Sequence, residues 1–311
     1  MNAIHAGSGR KSQGYPCRVQ AAESEALAPR AVAVPQRSVQ RIQPSSWLVP
    51  IDFREVWRYR ELIRFFVLRD VKSRYRQTYL GPTWAIMRPL LTIVVFSAIF
   101  GGLAGISPGK NVDIPYALWV TPAVLAFTYV STALTNTSTS LVQNSNLITK
   151  VYFPRLYVPV ATAFTPIVDF LLGLLVLIGL FAYFGRAPSW HIVFLPAFLA
   201  LATLIVVGIG LWLASFTARY RDAVFGVPFL VQIWQYATPV IYPASLVPQP
   251  YRQLLDINPF TAVVNGFRWS LLGLPFGSLI ALAASLGIAV TLAVTGLFVF
   301  RRTERIMVDM L

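Results

Sequence analysis

Between Trp84 and Phe300 the sequence passes through six mostly apolar stretches, about Trp84–Ala104, Tyr116–Leu134, Val158–Phe184, His191–Phe216, Ala223–Tyr242 and Leu279–Phe300. Each reaches the roughly 18–20 residues a helix needs to cross the hydrocarbon core of a bilayer. Lipid offers no hydrogen bonds, so backbone groups in such runs must be paired within the segment, which a helix does. The expected fold is an all-α polytopic membrane protein with six transmembrane helices. Only 12% of the 311 residues are charged, against about 25% in soluble domains, which excludes a soluble enzyme. The single cysteine, Cys17, cannot close a disulfide within its chain, so a disulfide-stapled secreted domain is excluded too.

The net charge of +14 is unevenly placed. Residues 1–82 hold 14 Lys/Arg against 6 Asp/Glu, and residues 83–300 hold 9 against 4. A basic segment ahead of the first span is what a cytoplasmic N-terminus shows, and no nucleic-acid-binding motif accompanies it. The loops agree. With the N-terminus inside, the inner loops and tail carry Lys150, Arg155, Arg219, Arg221, Arg301, Arg302 and Arg305, and the longer outer loops only Lys110, Arg186, Arg252 and Arg268. Both termini are therefore expected in the cytoplasm, with the protein in the cytoplasmic membrane.

Four regions follow. Residues 1–50, rich in Ala, Ser, Gln and Pro, read as a disordered cytoplasmic tail without a cleavable signal. Residues 51–82 contain an amphipathic helix over about 56–79, in which Leu62, Ile63, Phe66, Val67, Val71, Tyr75 and Tyr79 recur at helical spacing among cations. The six-span region covers 83–300, with a break or tilt expected at Pro166 and snorkelling expected of Arg88. Residues 301–311 form a short cytoplasmic tail. Between spans five and six, residues 244–278 are apolar but broken by prolines, and read as two short amphipathic helices dipping into the outer leaflet.

Catalytic and metal chemistry are poorly served. Gly105–Asn111 lacks the spacing and the Ser/Thr of a phosphate-binding loop, so an ATPase would have to be a separate chain. His5 and His191 have no partner at ligand spacing. The outward acids Asp113 and Asp256 are single, not paired as acid–base chemistry on sugars needs. Asp169 is the lone acid inside a span, either a proton site or a structural acid bonded to a neighbouring span.

Two groups of residues stand out. The inner loop Asn144–Arg155 offers a short helix with apolar knobs (Leu147, Ile148, Val151, Phe153) and cations at 150 and 155. It suits either a groove on a soluble partner or the membrane surface. The second group is Arg219–Asp222, able to cap inner helix ends and bind lipid phosphate, then Tyr236–Pro243 with its bending prolines, then Asn258-Pro-Phe260 and Arg268.

In this order, these segments and the basic helix Leu62–Gly81 resemble the polysaccharide-export branch of the ABC-2 type transporter permeases, which export O-antigen, capsule or teichoic-acid chains. The resemblance implies a homodimer of six-span subunits carrying a lipid-linked glycan. Two copies of a separate ATPase would dock below and bind the ATP and Mg, leaving this chain without a cofactor and without catalysis. Asn146, Leu147, Ile148, Lys150, Val151, Phe153, Pro154 and Arg155 would match the coupling helix, and Arg69, Lys72, Arg74, Tyr75 and Arg76 the interface helix. Arg219, Arg221, Asp222, Asn258 and Arg268 would match the inner loop and outer gate. Trp84, Phe96, Phe100, Tyr236 and Tyr242 would line a sugar path, although aromatic belts at membrane interfaces explain such residues equally well. Export of a drug or another lipid, and a membrane enzyme acting on polyprenyl-linked sugars, stay open as alternatives.

Overall fold

The computed structural model describes residues 59–76, 81–109, 112–150 and 154–304, and no strand occurs among them. The readings for 1–50 and for 305–311, and those for Val151 and Phe153, fall outside the described residues. The elements are α1 (Arg60–Arg76), α2 (Thr83–Phe96), α3 (Tyr116–Gln143), α4 (Ser145–Lys150), α5 (Tyr157–Phe164), α6 (Ile167–Tyr183), α7 (Leu195–Arg219), α8 (Ala223–Ala237), α9 (Gln249–Ile257), α10 (Pro259–Leu272) and α11 (Leu279–Glu304).

Among the described residues, five helical stretches are long and apolar enough to span a membrane: Thr83–Leu103, Tyr116–Gln143, Tyr157–Tyr183, Trp190–Arg219 and Leu279–Glu304. The first is α2 carried on by a π-helical stretch, Ser97–Leu103. The third breaks where expected. Proline has no N–H to give the preceding turn and its ring crowds that turn's carbonyl; α5 accordingly stops at Phe164 and α6 restarts after Pro166.

The fifth expected span, about Ala223–Tyr242, differs from the sequence reading. Its helix, α8, has 15 residues and ends at Ala237 rather than Tyr242. That is roughly 22 Å of helix, short of the ~30 Å core. The cause is local: Thr238 precedes Pro239, a position pushed out of the helical region, and its φ of −108° and ψ of 139° are extended.

α3 is the hub. Most of its length is buried within the protein, and Tyr129, Leu118, Leu134 and Leu141 are among the largest buried side chains. α7 and α11 cross closely at Gly208 and Gly296, where a Cβ at Gly208 would lie 2.7 Å from the Ala293 nitrogen. Small residues bring membrane helices together because dispersion at short range replaces the missing hydrophobic drive. The stretch Thr83–Leu103 and α11 lie at the periphery, with few of their residues buried.

Both helices expected between the last two spans exist, but they differ. α9 is polar on one side and exposed at Tyr251, Leu254 and Ile257. α10 is buried along most of its length, at Phe260, Val263, Val264, Phe267 and Leu271 among others, and packs on protein rather than lying in lipid.

Candidate functional site

Two polar constellations sit at opposite ends of the bundle. At the first, α1 grips both the start and the end of the inner loop's neighbours. Its apolar side is set by Phe66, buried with Val158 and Ala161 of α5 and flanked by Leu62, Ile63, Val67 and Leu147. Leu147 thus binds α4 to α1. One turn on, Arg69 spreads its guanidinium: Nη2 donates to Asn144 Oδ1 at 2.8 Å, and Nε and Nη2 donate to Asp70 Oδ1 at 2.9 and 2.7 Å. Asn144 is the C-terminal cap of α3, and its Nδ2 donates to the Ser140 carbonyl at 2.9 Å. Arg69 therefore holds the point where α3 gives way to α4.

Asn146, Leu147, Ile148 and Lys150 lie on α4, with Asn146 exposed. Pro154 and Arg155 follow in the chain, where the Arg155 backbone N–H donates to Glu304 Oε1 at 3.2 Å and its Nη1 to the Glu304 carbonyl at 3.3 Å. The inner loop is thereby tied to α1 at one end and to the last helix at the other. Lys72, Arg74 and Arg76 are exposed on α1.

Asp169, in the first turn of α6, accepts hydrogen bonds from Arg74 and from the Tyr75 hydroxyl. Its partners are on α1, not on a neighbouring span. Burial, and then the bond to Asp169, push the Tyr75 phenol above its usual value of 10.0, so it donates throughout the neutral range. These groups border a cavity of about 400 Å³ that also meets Trp84 and Arg88.

On the same end, Arg219, Arg221 and Asp222 are exposed. Arg219 sits in the last turn of α7, where a cation favours the helix dipole. Asp222 takes the N-cap position of α8, but its carboxylate accepts no capping bond, a departure from the capping expected of it.

At the other end, the broken chain after α8 is held by side chains from α10 and α3. Arg268 is 5% exposed. Its Nη1 donates to the Pro239 carbonyl at 2.9 Å and its Nη2 to the Val240 carbonyl at 2.7 Å, while its guanidinium lies 3.7 Å from the centre of the Trp119 ring. Tyr116 donates to the Ile241 carbonyl at 2.5 Å. Three carbonyls stripped of helical partners are thus paired by side chains, as irregular backbone at membrane depth requires. Asn258 caps α10, accepting from the Phe260 N–H at 3.1 Å, and its Nδ2 donates to Thr238 Oγ1 at 3.0 Å. The Thr238–Pro243 turn, the Asn258-Pro-Phe260 corner and Arg268 form one interlocked unit.

The aromatic residues set apart as a sugar path do not converge. Trp84 lies at the α1 end and Tyr236 is exposed on α8. Phe96 and Phe100 meet edge to face at 5.9 Å and pack towards Tyr116 and Trp119. Tyr242 donates to the Tyr236 carbonyl at 3.0 Å. Asn144, Asp70, Glu304, Tyr116 and Trp119 were not singled out by sequence reasoning. Asn144, at the junction of a Ser/Thr-rich helix end and the inner loop, carried the one usable signal, since asparagine favours helix ends.

With this architecture in hand, comparison with known proteins gives the class. The ABC-2 type transporter family matches residues 61–272, from α1 to the end of α10. The chain belongs to that family. A Myxococcus xanthus protein named O-antigen export system permease protein RfbA is 26% identical over 256 residues, 81% of this chain and 96% of the relative. A Klebsiella pneumoniae protein of the same name is 24% identical over 67% of this chain and 79% of its own length. Inner membrane transport permease YadH of Escherichia coli strain K12 is 24% identical over 61% of this chain and 76% of its own length.

Proposed function

We propose that this chain is the permease subunit of an ATP-driven exporter of a lipid-linked, O-antigen-like polysaccharide, working as a homodimer in the cytoplasmic membrane with two copies of a separate ATPase. The observation that carries it is the alignment with O-antigen export permeases over most of their length, 96% for the Myxococcus xanthus relative and 79% for the Klebsiella pneumoniae one. The α1 end supports the ATPase partner. There α4 is short, partly exposed and braced by Arg69 and Glu304, so a push on α4 reaches both α1 and α11. Both termini then face the cytoplasm with the basic residues. The chain itself carries out no chemistry in this reading; ATP and Mg are held by the partner.

The test is co-purification with the cognate ATPase, comparing wild type with Leu147→Asp/Phe153→Asp, and reading the melting temperature of both because Leu147 also packs against α1. Wild type is expected to retain the ATPase and the double variant to lose it. A wild-type chain that never associates with the ATPase overturns the reading and returns weight to a membrane enzyme on polyprenyl-linked sugars. For that rival Asp113 and Asp256 are the acids to substitute; Asp113 pairs with Arg186 at 2.9 Å.

A further inference from the structure

We infer that the cavity at the α1 end is a binding site for one anionic phospholipid, with Arg88 as its principal phosphate ligand and Arg74 as the second. The cavity, of about 400 Å³, lies where α1, the start of α2, α3 and the first turn of α6 meet. A volume of this size is within the range of natural ligand sites, about 300–1,000 Å³. Its polar groups are not equivalent. Tyr129 exchanges a hydrogen bond with Thr203, Tyr75 donates to Asp169, and Arg74 is shared with the same carboxylate. The Arg88 guanidinium has no partner among the described residues, and it stands at the cavity wall in the first turns of a membrane helix. A bare cation there is matched by a lipid phosphate.

Charge and shape select the kind of lipid. Arg74, Arg88 and Asp169 together leave a single positive charge in the cavity. That balances a phosphodiester, which carries one negative charge, and not a diphosphate. Trp84, Leu91 and Val95 lie at helical spacing on the Arg88 side of α2 and are 52%, 51% and 48% exposed. They form an apolar strip that runs from the cation into the membrane and gives an acyl chain its bed. The lipid would join α1 to α2 through its phosphate, which makes the seating of α1 dependent on the anionic lipid around it. The inference is independent of what the exporter carries.

The experiment uses the full chain purified in detergent and native mass spectrometry, with phosphatidylglycerol, phosphatidylcholine and undecaprenyl diphosphate as probes. Wild type is expected to retain one phosphatidylglycerol per chain after phosphatidylcholine has washed off. R88Q is expected to bind it about fivefold more weakly, the loss of one arginine–lipid attraction, and R88K to keep most of the binding. D169N, which raises the positive charge of the cavity, binds at least as tightly as wild type. Three results overturn the inference: R88Q retaining phosphatidylglycerol like wild type, phosphatidylcholine being held equally, or undecaprenyl diphosphate displacing phosphatidylglycerol at lower concentration, which makes the cavity a cargo site. Equal melting temperatures of R88Q and wild type separate lost binding from lost folding.

Discussion

Arg268 stacks on Trp119, 3.7 Å from the ring centre, at the point where the chain after α8 ceases to be helical. The arginine fork fits this place because its Nη1 and Nη2 meet two successive carbonyls, those of Pro239 and Val240. Arg268→Met leaves both carbonyls buried and unpaired and removes the cation–π contact. The expected cost is about 2–4 kcal/mol, read as a large drop in melting temperature in detergent. Arg268→Lys rescues little, since an ammonium is a point charge without the planar fork.

At the other end the bond from Arg69 to Asn144 Oδ1, 2.8 Å long, links α1 to the start of α4. A double-mutant cycle with Arg69→Ala and Asn144→Ala isolates that link. An interaction energy of about 1.5 kcal/mol is expected, the lower end for a hydrogen bond to a charged group because the site is only partly buried. Each single variant also loosens the brace on α4, so ATPase activity of the assembled complex becomes less responsive to cargo. A cycle that closes at zero removes Arg69 as a brace.

The helix crossing of α7 and α11 makes a cleaner packing test. A Cβ at Gly208 meets the Leu292–Ala293 backbone at 2.7 Å, whereas one at Gly287, on the same α11, meets nothing within 4 Å. Gly208→Ala is expected to cost about 1–3 kcal/mol by overpacking. Gly287→Ala is neutral or slightly stabilising, since alanine is the better helix former. Equal melting temperatures for the two variants contradict the close crossing.

These residues also show what was legible in the sequence. Apolar runs and prolines gave the membrane helices and the break at Pro166, because hydrophobic length and proline geometry are local properties. The end of α8 was misplaced by five residues because hydropathy continues through Val240 and Ile241, while backbone geometry is decided by Pro239 acting on Thr238. Arg268 counted as an outer-loop cation in the sequence, yet it is buried. Nothing local to it announces the carbonyls 28 and 29 residues away that it serves. Glu304 and Trp119 went unnoticed for the same reason: their partners, Arg155 and Arg268, are distant in the chain, and a single sequence carries no record of pairing.

Asp169 admits a test between its two readings. Held by Arg74 and Tyr75, it serves as an anchor for α1, and in that role Asp169→Asn is tolerated. The amide oxygen still accepts from Tyr75, and a partly exposed ion pair is worth about 1 kcal/mol or less. Export by the reconstituted complex is expected to continue with at most a modest loss, and with the same response to an imposed pH gradient as wild type. A proton site would behave differently, because an amide cannot release a proton; abolished export and a vanished gradient response in Asp169→Asn would establish one. The Tyr75 bond gives a second check on the same anchor. Because folding raises the phenol above its usual value of 10.0, the bond's contribution is fully present below pH 10 and is lost only above it. Melting temperatures of wild type and Tyr75→Phe are therefore expected to differ by a constant amount from pH 6 to 9 and to converge only in stronger alkali.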